Sequence, residues 1–250
     1  MTSECDGANS SPAITVFNDS TRLAILDVDG TLYPGALGVE LLRALMKGGL
    51  CRSDRGEAVF EVLRRYRARE VDFATMSVTA YGLFASALKD CPCSEVERAA
   101  RDLWAHERSR LFPFASELVK MLKDRGCEPM LISGSPQEMV GLVAGELGVR
   151  EFRGSLFSRR SGFYTGDVEL SSGVLGEKER ILAAITRGRN ICLRGSMAIG
   201  DSLTDSVLLR LVGHPIAFEP DPELLSLALH HGWVVADRDS ILDRARALIP

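Results

Sequence analysis

Short apolar runs that alternate with amphipathic ones constrain this chain more than any other feature. Leu23-Ala24-Ile25-Leu26 leads into Val28, and Pro129-Met130-Leu131-Ile132, Met197-Ala198-Ile199-Gly200, Ile216-Ala217-Phe218 and Trp233-Val234-Val235 follow. Each has the length and apolar character of a buried strand. Segments with helical spacing lie between them: Ser116–Asp124 closed by Gly126, Pro136–Leu147 closed by Gly148, Glu177–Thr186, Leu203–Val212 and Pro222–His230. Strands that alternate with helices predict an α/β chain, a Rossmann-like parallel sheet with helices on both faces. Arg153–Phe157 and Phe163–Val168, around Ser161-Gly162, read as a short additional strand pair.

One stretch breaks the alternation. From Gly38 to Leu111 the pattern is helical throughout, at Val39–Leu45, Ala58–Tyr66, Phe73–Leu88 and Ser94–His106, with Ser94 and Glu97 spaced as a capping box. A helical block just after the first strand predicts a cap over the strands' carboxyl ends, where such sheets bind ligands. The expected organisation is a polar, disordered leader over residues 1–20, an α/β core over 21–37 and 112–250, and an inserted cap over 38–111.

Composition excludes several classes. The 250 residues are 46% hydrophobic and 26% charged with a net charge of −4, which suits a globular chain and offers no basic footprint for nucleic acid. No apolar run spans a bilayer and the first residues lack an export signal, so the expectation is a cytoplasmic protein without a membrane partner. Six irregularly spaced cysteines read as reduced thiols. Cys91-Pro92-Cys93 lacks the spacer and the second ligand pair of a zinc site.

The polar residues at the strand ends carry the chemistry. Asp27-Val28-Asp29-Gly30-Thr31 closes the first run, and strand alternation would turn Asp27 and Asp29 to one side. Two like charges there call for a cation or for chemistry that uses both, although an Asp-rich turn would also read this way. Ser133-Gly134-Ser135 follows the second strand at a helix start, which makes either an anion site or a simple N-cap. Lys178 opens another helix. Asp201 falls at a strand tip, with Asp205 one helical turn further on, and Asp201 or Ser202 could cap the helix that follows. Acids, then a hydroxyl with amides, then a lysine, then acids again is the set a Mg²⁺–phosphate site needs.

Through these four ordered motifs the chain resembles the haloacid dehalogenase-like phosphohydrolases. It is most similar to the phosphoserine-phosphatase-like subgroup, whose helical cap follows the first strand. Phe163-Tyr164-Thr165-Gly166, Gly176-Glu177-Lys178, Gly213–Pro222 and Gly232-Trp233 share the subgroup's style. The resemblance implies a phosphomonoesterase acting on a small phosphorylated metabolite. Asp27 would be the nucleophile that forms an aspartyl-phosphate, and Asp29 the general acid and base. Ser133, Gly134 and Lys178 would bind the phosphoryl group. Asp27, the Asp29 carbonyl and Asp201 would hold Mg²⁺, with Asp205 and Thr31 in support. A phosphotransferase would use the same intermediate. The Glu and cap Arg that hold phosphoserine in the subgroup have no counterpart at Ala36 or over Val78 to Ala80. That leaves phosphoserine, histidinol phosphate and other small esters open as substrates. Tyr33, Glu40, Arg69 and Tyr81 are the candidates to face the cleft.

Overall fold

The computed structural model describes residues 20–249. The expected leader, all but Ser20, and Cys5 lie outside the described residues. The first strand β1 (Arg22–Leu26) lies mid-sheet between β2 (Cys127–Pro136) and β5 (Met197–Gly200). Outward from β2 come β3 (Glu151–Arg160) and β4 (Phe163–Leu170). Outward from β5 come β6 (His214–Phe218) and β7 (Val234–Ala236). Every pairing is parallel except β3–β4.

Strand alternation feeds two apolar layers. Ala24, Leu26, Leu131, Ile199 and Phe218 belong to one; Leu23, Ile25, Met130, Ala198 and Ala217 belong to the other. The first layer is closed by α5 (Ala115–Asp124), α6 (Gln137–Leu147) and α10 (Ile241–Leu248). The second is closed by α7 (Glu177–Thr186), α8 (Ser206–Leu211) and α9 (Pro222–His231). The helix α10 was not read from the sequence, although Ile241 and Ala245 are both buried at helical spacing. The strand order reverses at β1: β2 and β3 lie to one side, β5 to β7 to the other. A crevice therefore opens at the carboxyl end of β1.

The helical insert follows β1. α1 (Leu37–Lys47), α2 (Ser53–Arg67), α3 (Phe73–Leu88) and α4 (Cys93–Glu107) stand before the chain re-enters the sheet. The β3–β4 hairpin is longer than the sequence suggested because it carries this insert. Asp90 N–H donates to the Tyr164 carbonyl (2.9 Å), Tyr164 N–H to that of Cys91 (3.0 Å) and Cys93 N–H to that of Gly162 (2.9 Å). Phe84 of α3 stacks on Phe157 of β3 at 5.0 Å.

Two local expectations are corrected. The Ser94–Glu97 capping box is absent, because Pro92 starts α4 earlier: its carbonyl accepts from Glu95 and Val96, and Glu97 pairs with Arg159 at 2.9 Å. Leu203–Val212 is not one helix; a 3₁₀ turn at Leu203–Asp205 precedes α8. Cys51, Cys91, Cys93, Cys127 and Cys192 are free thiols. No described helix is long and apolar enough to cross a membrane.

Candidate active site

Regular pairing of β1 ends at Leu26, so strict alternation does not run on to Asp29. Asp27 N–H still donates to the Ile199 carbonyl (3.0 Å), and then the chain turns tightly at Val28, whose carbonyl accepts from Thr31, Leu32 and Tyr33. The turn separates the two acids' partners. Asp27 meets Lys178, whose Nζ lies 2.7 Å from its Oδ1. Asp29 accepts from Leu37 N–H (2.9 Å) with Oδ1, and from the Ser135 (2.5 Å) and Ser133 (3.3 Å) hydroxyls with Oδ2. The Ser135 oxygen also accepts from Gly38 N–H at 2.8 Å, which ties the start of α1 to the end of β2. Ser135 therefore does not cap α6, which has Pro136 at its N-cap and no side-chain cap.

Lys178 is enclosed between two carboxylates, with Asp205 Oδ1 at 2.5 Å on the other side. Asp205 Oδ2 turns back to the Ser202 N–H (3.1 Å) and hydroxyl (3.0 Å), which closes a capping box over the 3₁₀ turn. Here the capping role expected of Asp201 or Ser202 falls to Ser202. Asp201 accepts from the Thr31 hydroxyl at 3.3 Å. Oxygens of Asp27, Asp201 and Asp205 all lie within 4.8 Å of one another.

Three carboxylates around one ammonium leave excess negative charge in a largely buried site. Burial pushes the Asp27 carboxyl well above its ordinary value, with Asp205 and Asp201 adding to the rise and Lys178 opposing it. Burial, then Asp205, lifts Asp201 to about 8. Burial raises Asp29 as well, against the bonds from Ser135 and Leu37. Burial alone would discharge Lys178, but Asp205 and Asp27 overcome it and carry the ammonium upward. Uncompensated anions, hard oxygen donors and close spacing suit a small divalent cation. The backbone is shaped to bring them together. Gly30 sits at φ +82°, and a Cβ there would fall 2.1 Å from Asp201 Oδ2; one on Gly200 would fall 2.3 Å from Asp205 Cγ.

On the other side of Asp29, a chain of hydroxyls grips the turn at the end of β2. Ser172 donates to the Ser133 carbonyl, and its own N–H donates to Ser155 Oγ at 3.1 Å. The Ser155 hydroxyl (2.9 Å) and the Tyr81 hydroxyl (2.7 Å) both reach the Gly134 carbonyl. Because a peptide is planar, the bond to the Ser133 carbonyl also sets the direction of the Gly134 N–H. A Cβ on Gly173 would fall 2.1 Å from the Tyr81 oxygen, so this glycine makes room for the phenol.

The fold has counterparts among known proteins. Residues 24–210 match the family model described as haloacid dehalogenase-like hydrolase. The chain belongs to that family. A phosphoserine phosphatase of Mycobacterium tuberculosis is 28% identical over 242 residues, covering 93% of this chain and 76% of the relative. Among solved structures, a Bordetella pertussis protein of unknown function superposes with a TM-score of 0.72 at 24% identity, covering 88% of this chain and 99% of that one. A phospho-aspartyl intermediate analogue of phosphoserine phosphatase superposes at 0.63 with 24% identity, covering 88% and 94%. Within the haloacid dehalogenase-like hydrolases the chain is of the phosphoserine-phosphatase-like subgroup, with a helical insert after the first strand.

In this hydrolase Asp27, Asp29, Lys178, Ser202, Thr204 and Gly134 line one cavity, with cap residues opposite. Thr31, Asp201 and Asp205 stand beside it through the bonds above. Ser133 and Ser135 are buried under the same floor. Of the four cleft candidates, Tyr81 alone lines it. The Tyr33 hydroxyl is turned to Glu107, Glu40 pairs with Arg43 at 2.8 Å, and Arg69 is exposed.

Sequence reasoning missed Asp221, Ser155 and Ser172. Asp221 N–H donates to the Asp201 carbonyl (2.8 Å), while its carboxylate accepts from Leu203 N–H (3.0 Å) and Leu224 N–H (2.7 Å). One side chain thus caps α9 and fastens the loop that carries Asp201. The Asp221-Pro222 pair is a cap signal that locates the helix start and says nothing of the loop it holds. The two serines carry no local signal at all, since their partners are 17 to 39 residues away.

Proposed function

We propose that the protein is a Mg²⁺-dependent phosphomonoesterase that hydrolyses a small phosphorylated metabolite through an aspartyl-phosphate. The observation that carries this is the division of labour between the two acids of one turn. Asp27 faces an ammonium and two further carboxylates, and Asp29 faces hydroxyls and an amide.

Lys178 occupies Asp27 Oδ1, and Oδ2 carries no hydrogen bond among the described residues, so an oxygen is available to attack phosphorus. Lys178 favours the ionised form of that carboxylate and so opposes the pull of burial. Asp27 displaces the alcohol in line, forming an O–P bond as the ester O–P bond breaks. Asp29, whose proton affinity burial raises, gives its proton to the departing oxygen. It then takes one from water, whose oxygen attacks the phosphoryl group and releases phosphate and free Asp27. Ser133 and the Gly134 amide hold phosphoryl oxygens while these bonds change. Asp27, Asp201 and the Asp29 carbonyl would hold Mg²⁺, with Asp205 aligned through Lys178 and Ser202. The cation supplies charge neutralisation for the phosphoryl oxygens.

The test is Mg²⁺-dependent phosphate release over a panel of phosphate esters, with Asp27→Asn beside the native chain. Turnover should fall at least about 10⁴-fold in the variant, with its thermal melt retained. Substantial turnover by folded Asp27→Asn rules the mechanism out.

A further inference from the structure

The cleft has two chambers that meet at Asp29. The first contains Asp27, Lys178, Ser202 and Thr204; the second lies under α1, α2 and α3. Asp29, Leu63, Ala80, Tyr81 and Gly134 line both. With Asp29 as the acid that protonates the leaving oxygen, that oxygen lies toward Asp29, and the group it carries has the second chamber directly beyond.

That chamber holds about 180 Å³ and is walled by Val39, Leu42, Val59, Leu63, Phe84 and Phe157. A cavity of roughly 150 Å³ with such walls takes a benzene molecule. Among the described residues its one charged lining side chain is Asp29, which already accepts from three donors. The polar side chains the cap turns toward the cleft are engaged as well: Tyr81 donates to the Gly134 carbonyl, and Ser77 to that of Ala74 at 3.1 Å. Among the described residues no cationic side chain lines the second chamber. A carboxylate entering it would be desolvated without a partner and beside a like charge, whereas a hydrocarbon would gain from every wall.

We infer that the substrate is a phosphate monoester of an uncharged alcohol with an apolar body about the size of a benzene ring, an aryl-methyl or branched alkyl phosphate. Amino-acid phosphates are selected against. This inference rests on the phosphomonoesterase reading of the same site and adds the identity of the leaving group to it.

The experiment uses the full chain with Mg²⁺ and compares benzyl phosphate, glycerol phosphate and phosphoserine, with methyl and acetyl phosphate as substrates that lack a body. The kcat/KM for benzyl phosphate should exceed that for phosphoserine at least about 100-fold. Ala80→Leu places bulk where the chambers meet, and should lower the benzyl-to-methyl phosphate ratio of kcat/KM about 10-fold or more. Calorimetry supplies a readout without turnover: benzylphosphonate should bind at least about 10-fold tighter than the phosphonate isostere of phosphoserine. Phosphate release with phosphoserine or glycerol phosphate favoured, or a ratio that Ala80→Leu leaves unmoved, overturns the inference alone. Absence of Mg²⁺-dependent release from every ester and from acetyl phosphate overturns the underlying reading, and the inference with it.

Discussion

The floor and the roof of the cleft are built on opposite plans. The floor is made of strand ends, and three of its ionisable groups are each held by several partners: Lys178 by two carboxylates, Asp205 by Lys178 and Ser202, Asp29 by an amide and two hydroxyls. The roof is made of helices whose charges pair on the outside, as in Arg64 with Glu61 (2.7 Å) and Glu70 (3.6 Å), and whose inner side is apolar. Chemistry that must be placed to a fraction of an ångström sits on the sheet. The roof is joined to the sheet by a few bonds, such as Tyr81 to Gly134 and Asp90 with Tyr164, and on the proposed reading it is the part that recognises the leaving group. A roof that lifts can admit substrate without disturbing the floor.

The most forceful way to break that contrast is to remove the floor's ammonium. Lys178→Met leaves Asp27 and Asp205 buried without their shared cation, and breaking such a network costs about 3–5 kcal/mol. Urea denaturation should show this loss for Lys178→Met, while substitutions in the exposed Arg64 pairs should move the midpoint little. If Lys178→Met unfolds at the native midpoint, the floor is not held as described.

Next in size is Gly30→Ala. The left-handed backbone at φ +82° and the 2.1 Å approach to Asp201 Oδ2 both act against a side chain. Strain of about 1–3 kcal/mol is expected, with Asp201 pushed out of the carboxylate cluster. Calorimetric Mg²⁺ affinity should drop more than overall stability does. Equal affinity in Gly30→Ala would show that Asp201 does not need its present position.

These two sites also show what the sequence made legible. The floor could be read because its acids sit at the tips of apolar runs, where neither packing nor turn propensity accounts for them all. The five parallel core strands and the insert after the first were readable for the same reason: their apolar periods are uninterrupted. The length of the β3–β4 hairpin was hidden, since Arg159 and Arg160 look like loop residues. Arg159 pairs instead with partners in other elements, Glu97 and Glu138. The capping box at Ser94 was a local pattern overruled by Pro92, whose fixed φ begins the helix sooner. Ser155, Ser172 and the hold of Asp221 on the Asp201 loop were invisible because these roles exist only once distant segments meet.

Ser172 tests that hidden layer. Ser172→Ala removes the donor to the Ser133 carbonyl in a fully buried site, at a cost of about 1–2 kcal/mol. A purely structural role would lower stability and leave the kinetics of the folded enzyme alone. A positioning role, through the peptide plane shared with the Gly134 N–H, should lower kcat about 10-fold with KM for the same ester little changed. Paired measurement of kcat and KM separates the two.

The smallest effect belongs to the roof. Asp72 caps α3 by accepting from Thr75 N–H at 2.7 Å, and that bond holds its carboxyl below the ordinary value. A group whose affinity for protons falls on folding stabilises the helix above its unfolded value, and the contribution fades as pH drops through the lowered one. Asp72→Ala should therefore speed amide exchange in the first turn of α3 about fivefold at neutral pH, and acidification to well below about pH 4 should erase the difference between variant and native chain. Exchange in β1 and β5 should not respond. A loosening that spread to those strands would mean that roof and floor open as one unit, and the cleft could then not admit substrate by moving the roof alone.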